Sequence, residues 1–150
     1  MYKRQVLSKA QLKAKLYQDA FLTITILLEL EKDKPKIVDA LLDKAKIEAA
    51  LGKTGDSKTT AEKALEMNPT GKTQAELLKV VGDFYYLIGE HEEAANRYVL
   101  LVSSAEDLEF HPQVLDRLHR CLEKSGNNDE ARKYLNQLKK GYPRYTREKL

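Results

Sequence analysis

The sequence has few of the residues that interrupt helices or cross-link chains. Its 150 residues include seven glycines, four prolines, one cysteine and no tryptophan. With 42% hydrophobic and 33% charged residues, this composition is typical of a folded, mostly helical chain and not of a disordered one. The single Cys121 cannot form a disulfide within the chain, which is compatible with a reducing compartment.

Long apolar runs are also absent. Crossing a bilayer takes roughly 18 to 20 apolar residues, and the longest run here, residues 21–28, is interrupted by Thr23 and Thr25. Lys3 and Arg4 precede neither an apolar signal core nor a small-residue cleavage site, so no secretory signal is visible. We therefore expect a cytoplasmic protein that does not insert into membranes.

Groupings typical of catalysis or metal binding are missing as well. The three histidines are predicted to lie on a turn, in a loop and in a helix, at His91, His111 and His119. None has the carboxylate or cysteine spacing of a metal site, and Cys121 is interpreted as a half-buried small hydrophobic residue. The acidic pairs Glu92–Glu93 and Glu106–Asp107 are interpreted as solvated helix starts. No phosphate-binding or dinucleotide-binding glycine pattern occurs, so we expect no enzyme activity, cofactor or metal.

Charge is unevenly distributed along the chain. Residues 1–34 carry seven basic and four acidic groups, residues 35–111 nine and fourteen, and residues 112–150 ten and five. The two ends are therefore basic and the middle is acidic. A basic end favours an acidic partner, a phosphate-rich partner, or the acidic middle of a second copy.

The stretch Leu77–Leu101 organises the rest of the chain. It places apolar, small and aromatic residues in a fixed order, namely Val81, Gly82, Tyr85, Gly89, Ala94, Tyr98 and Leu101. This order resembles one tetratricopeptide repeat (TPR). In such a hairpin, Gly82 and Ala94 are small so that two antiparallel helices approach closely, while Tyr85 and Tyr98 fill the seam and Gly89 permits the turn.

The resemblance extends over about residues 2–143 and implies an all-α fold, an α-α superhelix in which about four TPR-like hairpins form a solenoid. We expect a single domain over residues 1–150. The predicted hairpins cover residues 2–34, 36–69, 73–104 and 112–143, with residues 144–150 as a tail or a partial capping helix.

The first hairpin is ambiguous from periodicity alone. Residues 1–34 could form one long helix, and Thr23–Ile26 could be taken for a strand. Comparison with the other repeats favours a helix over 2–14, a turn near 15–17 and a helix over 18–32. A continuous helix through Lys15 remains the alternative.

Three further positions depart from the repeat pattern. In the second hairpin Gly55 is predicted as the turn glycine, but it lies about one helical turn too close to Pro69, so either the second helix is short or the turn is rebuilt. Ser103–Pro112 reads as an inserted connection, because Gly126 follows Gly89 by 37 residues and not the 34 of the family. His119 occupies the place of Gly82, which predicts a wider helix crossing in the last repeat.

The resemblance also implies a function. TPR-like solenoids line a concave groove with the first helix of each hairpin, so we expect a non-enzymatic protein–protein interaction scaffold that binds a peptide or protein segment. The groove residues predicted by spacing are Gln5, Lys9, Lys13, Ala45, Ala49, Lys79, Asp83, Tyr86, Arg117, Arg120 and Lys124. A chaperone-docking carboxylate clamp is not expected, because only fragments of that pattern are present.

The last three groove residues, Arg117, Arg120 and Lys124, recur on one helical face. They are interpreted as exposed positions that form either a cationic strip for an acidic peptide or simply a solvated face. Tyr86 is the aromatic anchor expected beside such a strip.

A different class of function is self-association, in which the basic C-terminal repeat docks on the acidic middle of another copy. Nucleic acid is not an expected partner, because the basic groups are not interleaved with aromatic ones as a single-strand platform requires.

Overall fold

The computed structural model describes residues 2–105 and 108–149, and within these ranges the regular structure is α-helical, without strands. The helices are α1 (Tyr2–Lys13), α2 (Tyr17–Leu30), α3 (Lys34–Ala50), α4 (Thr54–Leu65), α5 (Gly71–Leu87), α6 (His91–Ser104), α7 (His111–Lys124) and α8 (Asn128–Gly141). They follow one another as helical hairpins, so the prediction of an all-α helical repeat is confirmed.

Every hairpin turns at a residue in the left-handed region of backbone space. These residues are Lys15 (φ 62°), Gly52 (φ 79°), Gly89 (φ 81°) and Gly126 (φ 83°). Each follows the previous one by 37 residues, and the same main-chain hydrogen bond closes each turn. The bonds run from Leu16 N to Gln11 O, Lys53 N to Glu48 O, Glu90 N to Tyr85 O and Asn127 N to Leu122 O, at 2.8–2.9 Å. The structural repeat is therefore 37 residues long throughout.

The turn of the second hairpin differs from the prediction. Gly55 lies in the first turn of α4, and the glycine with positive φ is Gly52, three residues earlier. The turn is thus displaced, and α4 has 12 residues where α2, α6 and α8 have 14. The assignment of Gly55 as the turn glycine was wrong because the comparison assumed a period of 34.

The first hairpin is broken at Lys15. Its left-handed backbone cannot continue an α-helix, so α1 ends at Lys13 and α2 begins at Tyr17. The alternatives of one continuous helix, or of a strand at residues 23–26, are wrong.

The connection between α6 and α7 covers residues 105–110. Glu106 and Asp107 lie outside the described residues, and so does the helix start that was predicted at this pair. Because all the turns recur at the same interval, the 37-residue spacing is not an insertion particular to this connection. After α8, residues 142–149 are non-helical, which excludes a capping helix over 144–149.

Contacts between Cα atoms divide the chain into two compact units, residues 1–80 and 81–150. The division falls within α5, so its residues 71–80 belong to the first unit and 81–87 to the second. Whether the chain acts as a single domain stays a prediction. None of the helices in the described ranges is long and apolar enough to cross a membrane.

In the first unit, the core lies where α2 packs against α3. Ala20, Ile24 and Leu27 of α2, and Ala40 and Ile47 of α3, are each at most 2% exposed. Partly buried side chains surround this cluster, namely Leu12, Phe21, Leu28 and Leu51. Apolar residues at helical spacing on neighbouring hairpins therefore join consecutive repeats.

In the second unit, α5 and α6 meet at Gly82 and Tyr98. A Cβ atom on Gly82 would lie 2.6 Å from Cε1 of the fully buried Tyr98 ring, so only glycine fits this approach. His119 takes the corresponding place in the last hairpin, where its Nδ1 lies 2.9 Å from the carbonyl oxygen of Ala131. The wider crossing expected there stays a prediction.

Candidate functional site

The first helices of the hairpins are α1, α3, α5 and α7, and within each unit their polar sides carry ion pairs between neighbouring repeats. In the first unit, Lys9 Nζ of α1 lies 2.7 Å from Asp43 Oδ2 and 3.4 Å from Asp39 Oδ2, both on α3. Gln5 also donates to Asp39. One repeat further on, Lys46 Nζ of α3 lies 3.4 Å from Glu76 Oε1 of α5.

Lys9 and Asp43 differ in their access to water. The Asp43 side chain is 5% exposed and that of Lys9 is 46% exposed. Burial raises the pKa of Asp43 even though Lys9 lies beside it. Burial alone would lower the pKa of Lys9, but the two carboxylates outweigh it and raise that pKa. The ammonium group therefore stays charged and neutralises a carboxylate that has little water of its own.

In the second unit, Asp83 of α5 joins three side chains. Its Oδ1 accepts from the Tyr98 hydroxyl at 2.6 Å and from Arg117 Nη1 of α7 at 2.8 Å. The Arg117 guanidinium also lies 4.6 Å from the centre of the Tyr86 ring, within the range of a cation–π contact. Burial, followed by the Asp83 charge, raises the pKa of Tyr98, so its hydroxyl remains a donor.

The other side of Arg117 holds a carboxylate from near the end of the chain. Arg117 Nε and Nη2 each donate to a different oxygen of Glu148 at 3.0 Å, and Gln113 Nε2 donates to Glu148 Oε1 at 2.7 Å. Two parallel bonds from one guanidinium form a bidentate pair, which is stronger and more directional than a single bond. Hydrogen bonding by Arg117 lowers the pKa of the Glu148 carboxyl, although partial burial acts in the opposite direction.

Asp116 of α7 holds the same segment by its main chain. This carboxylate has a side chain that is 0% exposed; its Oδ2 accepts from the Glu148 amide at 3.2 Å and its Oδ1 from Arg147 Nε at 2.8 Å. Arg120 Nε donates to the same Oδ1 at 3.1 Å, and Arg120 Nη2 donates to the main-chain oxygen of Glu148. Side-chain and main-chain groups of Glu148 are thus both held by one helix.

We call residues 142–149 the return segment and the α7 side chains that hold it, Gln113, Asp116, Arg117 and Arg120, the α7 cradle. Chemically, the cradle offers donors to a carboxylate and to a carbonyl oxygen, and an acceptor to a cation and to an N–H. It can therefore bind a polypeptide segment that carries both signs of charge.

Of the predicted groove residues, four lie close together in the structure: Asp83, Tyr86, Arg117 and Arg120. Lys124 is exposed at the end of α7 and does not belong to this cluster, while Lys9 and Lys79 lie in the first unit. The interpretation of Arg117 and Arg120 as exposed positions was wrong, because their side chains are 14% and 13% exposed beneath the return segment.

The displaced turn at Gly52 also changes the assignment in the second hairpin. Ala45 is fully buried, so it cannot line an accessible face as predicted, whereas Ala49 is exposed. The side chains of α3 that make inter-repeat contacts are instead Asp39, Asp43 and Lys46.

Sequence reasoning missed Gln113, Asp116 and Glu148. The available signal was Glu148 itself, which is the one acidic residue among the basic residues of 142–149. Pairing it with α7 required the return of the chain after α8, which no helical periodicity predicts.

The histidines and the cysteine lie elsewhere. His91 and His111 are the first residues of α6 and α7, and not turn or loop residues. Cys121 is fully buried, and burial raises the pKa of its thiol to about 11. Within the described ranges, no three side chains of His, Cys, Asp or Glu are grouped so that they could hold a metal ion.

Comparison with known proteins gives two matches to family models, both described as tetratricopeptide repeat. One covers residues 38–70 and the other residues 115–145. These ranges contain the turns at Gly52 and Gly126. No curated protein sequence matches the chain at a significant level.

Solved structures share the fold at low sequence identity. PilF of Pseudomonas aeruginosa aligns with a TM-score of 0.77 and 21% identity over 95% of this chain and 61% of its own. MamA of strain AMB-1 aligns with a TM-score of 0.75 and 17% identity, over 96% of this chain and 74% of its own. The TPR-like repeats of a kinesin light chain candidate from Podospora anserina align with a TM-score of 0.72 and 14% identity, over 97% of this chain and 76% of their own. This chain thus spans less than two thirds of the PilF chain, and the likeness to all three is one of fold.

Proposed function

We propose that this chain, which belongs to the tetratricopeptide repeat family, binds a segment of a partner protein on its α7 cradle. Tetratricopeptide repeats are protein-interaction scaffolds and are typically non-catalytic. The proposal specifies where the partner segment binds and which chemical groups it presents. The partner is a protein or peptide that presents a carboxylate to Arg117 on α7.

The occupation of the α7 cradle by the chain itself is the observation that carries this proposal. A non-helical segment lies there, with its carboxylate on Arg117 and Gln113 and its main-chain N–H on Asp116. A bound partner segment needs the same contacts: directional donors to its carboxylate and hydrogen bonds to its main chain. Tyr86 beneath the guanidinium adds an aromatic surface of the kind that is enriched at binding hot spots.

Arg117 also forms an ion pair with Asp83 of α5, which favours binding. The buried Tyr98 donates to the half-buried Asp83, and Asp83 accepts from Arg117, so the guanidinium is oriented before any partner arrives. A side chain that is already oriented loses less conformational entropy on binding.

Selection from a random peptide library tests the proposal. Octapeptides selected on the full chain should carry an acidic residue, and their affinity should fall about tenfold or more for Arg117→Gln, which removes a charged, bidentate contact. Arg132→Gln is the matched control, because Arg132 is exposed and lies on α8, whereas the cradle residues lie on α7. Selected peptides that bind Arg117→Gln as tightly as the parent would exclude the α7 cradle as the binding site.

Self-association through the basic C-terminal repeat stays a prediction. Sedimentation at several salt concentrations tests it, because attraction between unlike charges weakens as salt rises. A chain that stays monomeric over micromolar concentrations at low salt would exclude it.

A further inference from the structure

The return segment leaves α8 through a turn and comes back to α7. Main-chain helix bonding ends at Tyr142, whose amide donates to Leu138 O, and the Tyr145 amide then donates to Tyr142 O at 3.0 Å. The chain continues without regular structure through Lys149. Its contacts with the α7 cradle are made by Arg147 and Glu148, a basic residue directly followed by an acidic one.

Polar contacts of Arg147 and Glu148, together with the Tyr142 ring, whose centre lies 6.2 Å from that of His111, hold this segment. None of its side chains is fully buried; Tyr142, Tyr145 and Glu148 are half-buried and the others are exposed. Segments with few buried apolar contacts open at a lower free-energy cost than helices that pack in a core. The segment can therefore leave the cradle without unfolding the helices.

The cradle, in contrast, belongs to the packed part of the unit. Asp116 is fully buried, and Arg117 is fixed by Asp83 and through it by Tyr98. When the return segment leaves, Asp116 loses the Arg147 guanidinium and the Glu148 amide, and Arg117 loses its bidentate carboxylate. Asp116 keeps Arg120 and Arg117 keeps Asp83, and the hydrogen-bond positions that the segment vacates favour a ligand that fills them again.

We propose that the return segment is an intramolecular ligand of the α7 cradle, and that a partner segment with a basic residue directly before an acidic one displaces it. This inference rests on the proposed function, because it assumes that partners bind the cradle. It adds the partner motif and a means of regulation: the unliganded chain occupies its own site.

Tethering makes this competition effective. A short linker holds its ligand at an effective concentration of millimolar order, so a weak intramolecular contact can outcompete a free peptide. The apparent affinity of a partner equals its intrinsic affinity multiplied by the fraction of molecules in which the cradle is open. Weakening the tethered ligand should therefore tighten partner binding without changing the cradle.

The test uses a fluorescein-labelled peptide with the sequence of residues 142–149, blocked at both ends, and the full chain. The released variant combines Arg147→Ala with Glu148→Gln. We expect it to bind the peptide about tenfold or more tightly than the parent does, from the loss of the tethered competitor. The matched control, Arg132→Ala with Glu130→Gln, makes the same charge changes on the exposed side of α8 and should bind as the parent does.

Two further measurements complete the test. Adding Arg117→Gln to the released variant should abolish the gain in affinity. In the parent, excess unlabelled peptide should speed amide hydrogen exchange at residues 145–149, because the displaced segment loses its contact with Asp116. The same melting temperature for parent and released variant would show that the helices are intact.

The outcomes are distinguishable. If parent and released variant bind the peptide equally and both depend on Arg117, the competition is overturned while the proposed binding face stands. If neither binds the peptide, the segment is a permanent part of the fold and this inference fails. The proposed function is then judged separately by the peptides selected from the random library.

Discussion

Arg117 pairs with Asp83 at 2.8 Å across the seam between α7 and α5, 34 residues apart along the chain. Lys9 and Asp43 form a pair with the same separation in the first unit, at 2.7 Å, but with the two charges exchanged. The same structural position thus joins consecutive first helices in both units. In the second unit the cation belongs to the later helix, where it also faces the return segment.

Replacing Lys9 by alanine should destabilise the first unit. The substitution leaves the largely buried Asp43 carboxylate without its closest cation, and loss of a hydrogen bond to a charged group costs about 1.5–3 kcal/mol. Urea unfolding at neutral pH measures the change. Lys13→Ala, an exposed neighbour on α1, is the control and should stay within about 0.5 kcal/mol of the parent. Equal stability of both variants would show that the Lys9 pair contributes nothing.

Replacing Gly82 by leucine should destabilise the second unit. The new Cβ would overlap the Tyr98 ring, which is fully buried and anchored through its hydroxyl on Asp83, and overpacking of this kind costs roughly 1–3 kcal/mol. Gly55→Leu is the control, because a Cβ there meets no atom within 4 Å. If thermal melting of Gly82→Leu matched that of the parent, the helices could not be as close as described.

Cys121 should be unreactive in the folded chain. Its side chain is fully buried and its thiol pKa is raised to about 11, so little thiolate forms near neutral pH and reagents cannot reach it. We expect iodoacetamide at about pH 8 to modify the thiol only after denaturant is added. Rapid labelling of the native chain, detected by mass spectrometry, would contradict the burial of α7 against its neighbours.

Acid should release the return segment. The pKa of Glu148 lies below its ordinary value of 4.5, so its contact stabilises the folded state fully above pH 4.5 and is lost as pH falls through the lowered pKa. A carbon-detected NMR titration of the Glu148 carboxyl, with its amide as a second probe, measures both. In Glu148→Gln the acid-dependent shift of Arg117 Nε, which donates to Glu148 Oε2 in the parent, should be smaller. A Glu148 carboxyl that titrates at 4.5 in the parent would mean that Arg117 does not hold it in solution.

The sequence predicted the helical hairpins because their determinants are local. Apolar residues at helical spacing, and small residues where helices cross, act within about 30 residues of one another. The third and fourth repeats followed from Gly82, Gly89 and Gly126. The second was misaligned because two glycines, Gly52 and Gly55, lie three residues apart, and only the backbone conformation identifies the one that turns.

The sequence by itself therefore determined the all-α repeat fold and the first helices as carriers of the charged and aromatic side chains. Only the tertiary structure decided which of those side chains are paired. Asp83, Arg117 and Glu148 come together because the chain turns back after α8 and the first helices of consecutive repeats lie side by side. The same pattern of charges on one helical face results whether the charges are solvated or paired with other groups. For Arg117 the difference lies in Asp83 and Glu148, which are 34 and 31 residues away along the chain.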